Sequence, residues 1–336
     1  MRCAVIITEL HLEQLPNNEE DLLTVGAIHA RDVHSVRNDV ASMIFPSAIA
    51  PPTEAMISAV TSKLITVVSD IEARLQRHDA SAPSLPRTWP LLAKSGFLRE
   101  TDLIDFMMAR VAEDRMETKI IGSAQQLPAQ LLNHADPNIA DAAQALLAAD
   151  TLHRRARGFT YQALRPELLH QLCWRLVAAI EVGSGGRDKA VIASARELLS
   201  DYDESRTAQA AARKLTHFLG DDLHADLIDP NKAGLQLYVA YLANKLEIEQ
   251  DHVLHLIDIA TSAPLSIILR AIGNTAEQAI AIIYLFKGFS LTPRDIALFE
   301  RGFERLEQNA AKAEVRRWAH ERAQYLMFPQ TVRVST

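Results

Sequence analysis

LLNHADPNIADAAQALLAADTLHRRARG, residues 131–158, decides how the whole chain is read. Asp136 places a side-chain acceptor directly before Pro137, and proline suits a first helical position because its missing N–H is not needed there. Ile139, Ala142, Ala143, Leu146 and Leu147 then fall at i, i+3, i+4, i+7 and i+8, the one-sided stripe of an amphipathic helix. Arg154, Arg155 and Arg157 crowd the far end before Gly158, where cations meet the negative end of the helix dipole. The same punctuation recurs along the chain, with Pro166, Pro230, Pro264 and Pro293 at first turns and Gly220, Gly273 and Gly288 after helix ends. The chain therefore reads as all-α from about residue 53 to residue 327, more than half helical and without sheet.

Working outward, the strongest helix lies at residues 53–78. Its stripe of Ile57, Val60, Leu64, Val67, Ile71 and Leu75 is sustained over almost three heptads, the pattern of a helix that pairs along its length. A linker-like run at Asp79–Pro86 follows, and a helix over 101–117 is expected to return against the first as a hairpin. The length of the stripe suggests a homodimer through the 53–78 helix. Residues 119–219 read as paired helices in a HEAT-like array, including one stripe with Val191, Ile192, Ala195, Leu198 and Leu199 and another with Ala208, Ala211, Ala212, Leu215, Phe218 and Leu219. Further on, Thr275 with Gln278 matches a capping box, and Thr292 precedes Pro293, with Leu291 placed to staple against Ile296. The last helix is expected to run unbroken to about Phe328, its charged second half projecting across the surface. These readings divide the chain into an N-terminal extension (1–50), a helical hairpin or dimerisation region (51–118), a HEAT-like region (119–220) and a C-terminal helical subdomain (221–336).

Bulk composition narrows the function classes. At 336 residues, 48% hydrophobic and 23% charged, the chain has the make-up of a folded globular protein. A formal charge of −7 argues against a general nucleic-acid binder, which needs a basic face for phosphates. No stretch reaches the ~20 apolar residues that span a bilayer. The opening MRCAVIITEL is too short in its apolar run for a secretory signal. Cys3 and Cys173 suffice for neither a disulfide framework nor a cysteine-based zinc site. A soluble, cytoplasmic protein with reduced thiols, no cofactor and no metal is the expectation.

Several residues could carry chemistry. Arg154, Arg155 and Arg157, with Arg165 nearby, offer guanidinium forks to a phosphate, a nucleotide or an acidic partner, although helix-end cations need no ligand to explain them. His170 lies one turn before Trp174 and within reach of Glu167, as a phosphoacceptor would, and equally as a histidine packed on a tryptophan. His252 and His255 stand three apart without the further ligands of a metal frame, and read as histidines at the edges of a buried helix. Asp221, Asp222 and Asp226, with His224 among them, could do acid–base work or bind a cation, and read more simply as solvated acids at a short helix start. Gly183-Ser184-Gly185-Gly186 lacks the lysine of a phosphate loop and reads as a flexible connection.

Five segments, PPTEAMISAVTSKLITVVSDIEARL, HADPNIADAAQALLAAD, RPELLHQLCWRLVAAIEV, RTAQAAARKLTHFLG and LSIILRAIGNTAEQAIAIIYLF, follow one another in a recognisable order. The most specific patterns are Pro166 to Trp174 and Leu269 to Gly273. In these the chain resembles the bacterial domain-of-unknown-function family numbered 2336, in its sphingomonad-like alphaproteobacterial branch, over roughly residues 53–327. The resemblance implies an all-helical fold and brings no site residues. With no nucleophile–base–oxyanion set in view, the chain reads as a non-enzymatic bacterial scaffold that binds an unknown protein partner in a regulatory pathway. The rival readings are a ligand-sensing regulator using the arginine cluster and a phosphorelay protein using His170.

Overall fold

The computed structural model describes residues 54–77, 86–120, 126–155, 160–220, 224–259, 261–288 and 292–327. Sixteen α-helices and three short 3-10 turns account for most of these residues, and no strand occurs among them. The described residues fall into two compact units. One is formed by those up to Val111 together with Pro128–Phe218, the other by Ala112–Leu127 together with those from Leu219 onward. The hairpin and HEAT-like regions read from the sequence thus largely share one unit, and the last turn of the 101–117 helix belongs with the C-terminal helices. The N-terminal extension at 1–50 lies outside the described residues.

In the first unit the helices are α1 (Glu54–Gln76), α2 (Trp89–Ser95), α3 (Thr101–Glu117), α4 (Gln126–Leu131), α5 (Pro137–Arg155), α6 (Pro166–Ser184), α7 (Lys189–Asp201) and α8 (Ala208–Leu219), with α3, α4 and α8 each crossing the boundary. Helix α1 is its axis. Val60, Leu64, Val67, Val68, Ile71 and Leu75 are buried, packed chiefly on α7 and α6. Burying each such side chain contributes about 1.5–3 kcal/mol. The expected hairpin cover from α3 is therefore replaced by α6 and α7. The stripe is filled by its own chain and presents no free surface to a second copy, except at half-buried Ile57. Asp136 Oδ1 accepts the Asn138 N–H at 2.8 Å, so Asp136 caps as its place before Pro137 foretold, and Asp188 Oδ1 accepts the Ala190 N–H at 2.8 Å in the same way at the start of the next-but-one helix. Phe218, assigned to the buried stripe of α8, is exposed instead.

One cap was not legible. The Glu72 carboxylate of α1 turns inward, accepting the N–H groups of Arg87 and Thr88 at 3.1 Å each and the Thr88 hydroxyl at 2.5 Å. Thr88, the N-cap of α2, makes no side-chain cap of its own. Glu72 thus supplies the negative charge that the α2 N-terminus needs, from a different helix.

The second unit contains α9 (His224–Leu227), α10 (Pro230–Ala233), α11 (Leu235–Leu246), α12 (Gln250–Asp258), α13 (Ala263–Ala271), α14 (Ala276–Lys287), α15 (Pro293–Arg305) and α16 (Gln308–Met327). Helix α13 is its core, with Leu265, Ile267, Ile268 and Leu269 fully buried and α16 laid along it. It ends at Gly273, whose φ of +90° is the left-handed geometry that lets the Asn274 N–H return to the Leu269 carbonyl. The capping boxes at Thr275 and Thr292 both form, the second closed by Asp295. Leu291 lies outside the described residues, as does Gly158.

The expected continuous last helix is broken. Helix α15 stops at Arg305 because Leu306 turns fully inward and its carbonyl accepts the Arg270 Nε–H at 2.6 Å. Gln308 then donates to the Ala271 carbonyl at 3.1 Å, tying the start of α16 to the end of α13. Nor does α16 project. Ala311, Val315, Trp318 and Arg322 form a buried stripe, while Arg317 pairs with Glu314 and Glu321 on the exposed side.

Candidate interaction surface on helix α6

Pro166 opens α6 and Gly185, at φ +76°, closes it with its N–H on the Glu181 and Val182 carbonyls. Gly183 and Ser184, read as part of a flexible connection, belong to the last turn of the helix. Leu168, Leu169, Leu172, Cys173, Leu176, Val177 and Ile180 are buried, and the helix packs against α1, α2 and α7. Burial pushes the Cys173 thiol up to about 11, which leaves it protonated and inert.

The opposite face is a ridge of residues four apart: His170, Trp174, Ala178 and Val182. His170, Ala178 and Val182 are exposed and Trp174 is half-buried, with Val182 69% exposed. Trp174 Nε1–H donates to His170 Nε2 at 3.1 Å, and the two rings meet edge to face with centroids 6.3 Å apart. A ring nitrogen that accepts carries no proton, so this bond selects the His170 tautomer protonated on Nδ1. It also holds the indole in one orientation on the surface. Alongside the ridge, the Arg175 guanidinium lies 5.7 Å from the Phe97 ring centroid and 3.9 Å from Glu100. Burial raises the Glu100 carboxyl above its usual range, against the opposing pull of Arg175.

The residues picked out in the sequence separate on the structure. Arg165 is the half-buried N-cap of α6, and its guanidinium lies 5.5 Å from the Phe106 ring centroid, with Arg110 5.2 Å from the same ring. Arg165 Nε is shielded from solvent without a hydrogen bond. Helix α5 carries Arg154 and Arg155 in its last turn, but their side chains and the whole of Arg157 lie outside the described residues. His252 and His255, expected at helix edges, are both buried, because α12 is enclosed on nearly every side. No group of three metal-ligating side chains occurs among the described residues. Asp226 pairs with Lys232 at 3.1 Å, and Asp221 and Asp222 lie outside the described residues.

A second arrangement went unread. In the second unit, Lys287 at the end of α14 donates to the Ile257 and Ile259 carbonyls at the end of α12. Arg115 pairs with Asp258 beside it, and Lys119 donates to the Phe286 carbonyl at 2.5 Å. Burial lowers the Lys287 amine to about 8 and raises the Asp258 carboxyl. Three cations thus hold the electronegative ends of two helices together, a structural role for charges that sequence spacing scatters over 170 residues.

No family model, curated protein or solved structure matches the chain. None of the described helices is long and apolar enough to cross a membrane.

Proposed function

We propose that this is a non-catalytic bacterial interaction protein of the cytoplasm, built from HEAT-like paired helices and belonging to a regulatory pathway, and that the outer face of α6 is where it docks. Membership of the family numbered 2336 is part of the same proposal and rests on the Pro166–Trp174 and Leu269–Gly273 patterns. The observation that carries the docking reading is the half-buried Trp174, held in one orientation by His170 and followed along the ridge by exposed Ala178 and Val182. Tryptophan is a favoured anchor at interfaces, and an indole already fixed loses little freedom on binding. Immobilised wild type and Val182→Glu, exposed in parallel to lysate of the native cell, test it. Capture of a protein by the wild type alone supports the reading, and identical capture by both sinks it.

Arg165 favours a second reading, a small-anion sensor. Its half-buried guanidinium has no carboxylate partner among the described residues and shares the Phe106 ring with Arg110. Titration with pyrophosphate should raise the melting temperature of the wild type and not of Arg165→Ala.

A further inference from the structure

We infer that His170 is a proton switch for the outer face of α6: the neutral imidazole holds Trp174 in place, and the imidazolium releases it. The consequence for binding rests on the docking reading of this face, whereas the switch itself belongs to the free protein. An indole N–H can only donate, so its 3.1 Å bond to His170 Nε2 needs a lone pair on that nitrogen. Protonation puts a hydrogen there. Two N–H donors then point at each other, and the bond is lost. It is the indole's single hydrogen bond among the described residues, and His170 supplies its single ring contact there as well. An imidazolium is drawn to the face of an aromatic ring and repelled by its positive edge. The two rings now meet edge to face at 64°, with the indole N–H aimed at the imidazole, so the indole has to turn to offer its face. The anchor of the ridge then leaves the orientation it holds beside Ala178 and Val182.

Histidine ordinarily changes charge between about pH 5 and 8. His170 is exposed, so its proton comes straight from solvent. On its own helix Glu167 stands three residues before it, and Arg175, five after, is paired with Glu100. Charges on the helices packed against α6 are paired elsewhere: Asp70 with Arg74 on α1, Arg77 of α1 with Glu197 of α7, and Glu72 at the start of α2. Lys94 of α2 and Arg196 of α7 make no bond to His170 either. Trp174 is the one hydrogen-bond partner of His170 among the described residues, so the proton and the indole compete for the same lone pair.

Proton–nitrogen correlation spectra of the full chain, with its tryptophans isotopically labelled, test the switch. Absence in Trp174→Phe assigns the Trp174 indole signal. At about pH 8 the wild-type signal should lie downfield of that in His170→Ala, and on acidification to about pH 5 it should move upfield in one step to meet it. His170→Gln, which keeps an acceptor and cannot titrate, should hold the bonded position throughout. A wild-type signal that stays still, or that matches His170→Ala from the start, overturns the switch, as does a His170→Gln signal that moves with the wild type's. In the lysate experiment, loss of capture on acidification by wild type and its retention by His170→Gln carries the switch through to binding, and wild-type capture undiminished in acid overturns that consequence. Should the signal move while wild type and Val182→Glu capture alike, the docking reading fails and the switch stands. Should Val182→Glu alone lose capture while the signal stays still, the switch fails and the docking reading survives.

Discussion

Replacing Glu72 by Gln removes one charge and keeps the shape, which isolates what that carboxylate does for α2. In the wild type, two backbone N–H groups and one hydroxyl converge on it at 3.1, 3.1 and 2.5 Å, in a site almost closed to water. An amide offers one oxygen in place of two, and its NH2 must face a backbone N–H, donor against donor. At least one charge-assisted bond is lost outright, worth about 1.5–3 kcal/mol, and the buried N–H left behind adds about 1–3 kcal/mol. The expected loss is therefore about 2.5–6 kcal/mol, above that of an exposed N-cap replacement at about 1 kcal/mol. Trp89, the first residue of α2, stands beside the site and reports on it. Urea unfolding followed by Trp89 fluorescence, with Trp174 and Trp318 replaced by Phe in both proteins, measures the difference. A loss under 1 kcal/mol would mean that α2 is capped by something other than Glu72 and would refute the reasoning.

Other consequences are equally checkable. Leu64→Glu places a charge in a fully buried position of α1, so the first unit should unfold at any protein concentration, seen as loss of helical circular dichroism; a folded monomer would show that the stripe is covered from outside the chain. Lys287 titrates near 8 in the folded protein against 10.5 in its ordinary state. The unfolded chain binds that proton more tightly, so its contribution to stability is lowest below about pH 8, rises with pH, and is complete above about 10.5. The wild type should gain about 3 kcal/mol relative to Lys287→Met across that window, and parallel pH profiles for the two proteins would rule out the buried ammonium. Gly273→Ala forces a Cβ into left-handed backbone 3.2 Å from the Gln308 amide nitrogen, and should cost about 1–2 kcal/mol in a thermal melt, where an unchanged midpoint would contradict the geometry.

What was legible in the sequence is local, and what was not is long-range. Pro137, Pro166 and Pro293 mark helix starts because a first-turn proline acts on its own neighbours, and Thr275 with Gln278 closes a box within one turn. Glu72 caps a helix sixteen residues away, Arg270 draws in the Leu306 carbonyl across thirty-six, and Lys287 reaches back to Ile257; no periodicity encodes such pairings. That is why α15 and α16 read as one helix, since the break is made by a residue of α13 and by the burial of Leu306, not by proline or glycine. It is also why the charged end of the chain misled. Val315 and Trp318 with Ala311 form a stripe as regular as the one in α1, but alternating Glu and Arg hide it from composition. The candidate surface followed the same division. His170 and Trp174 were visible as an i, i+4 pair, whereas Ala178 and Val182 look like core in the sequence. Only the packing of α6 against α1, α2 and α7 decides which of its apolar residues are left facing outward. A functional face made of residues with core-like chemistry becomes visible through the burial of everything around it, and so the side of α6 that the rest of the unit leaves open is where a partner has most to gain.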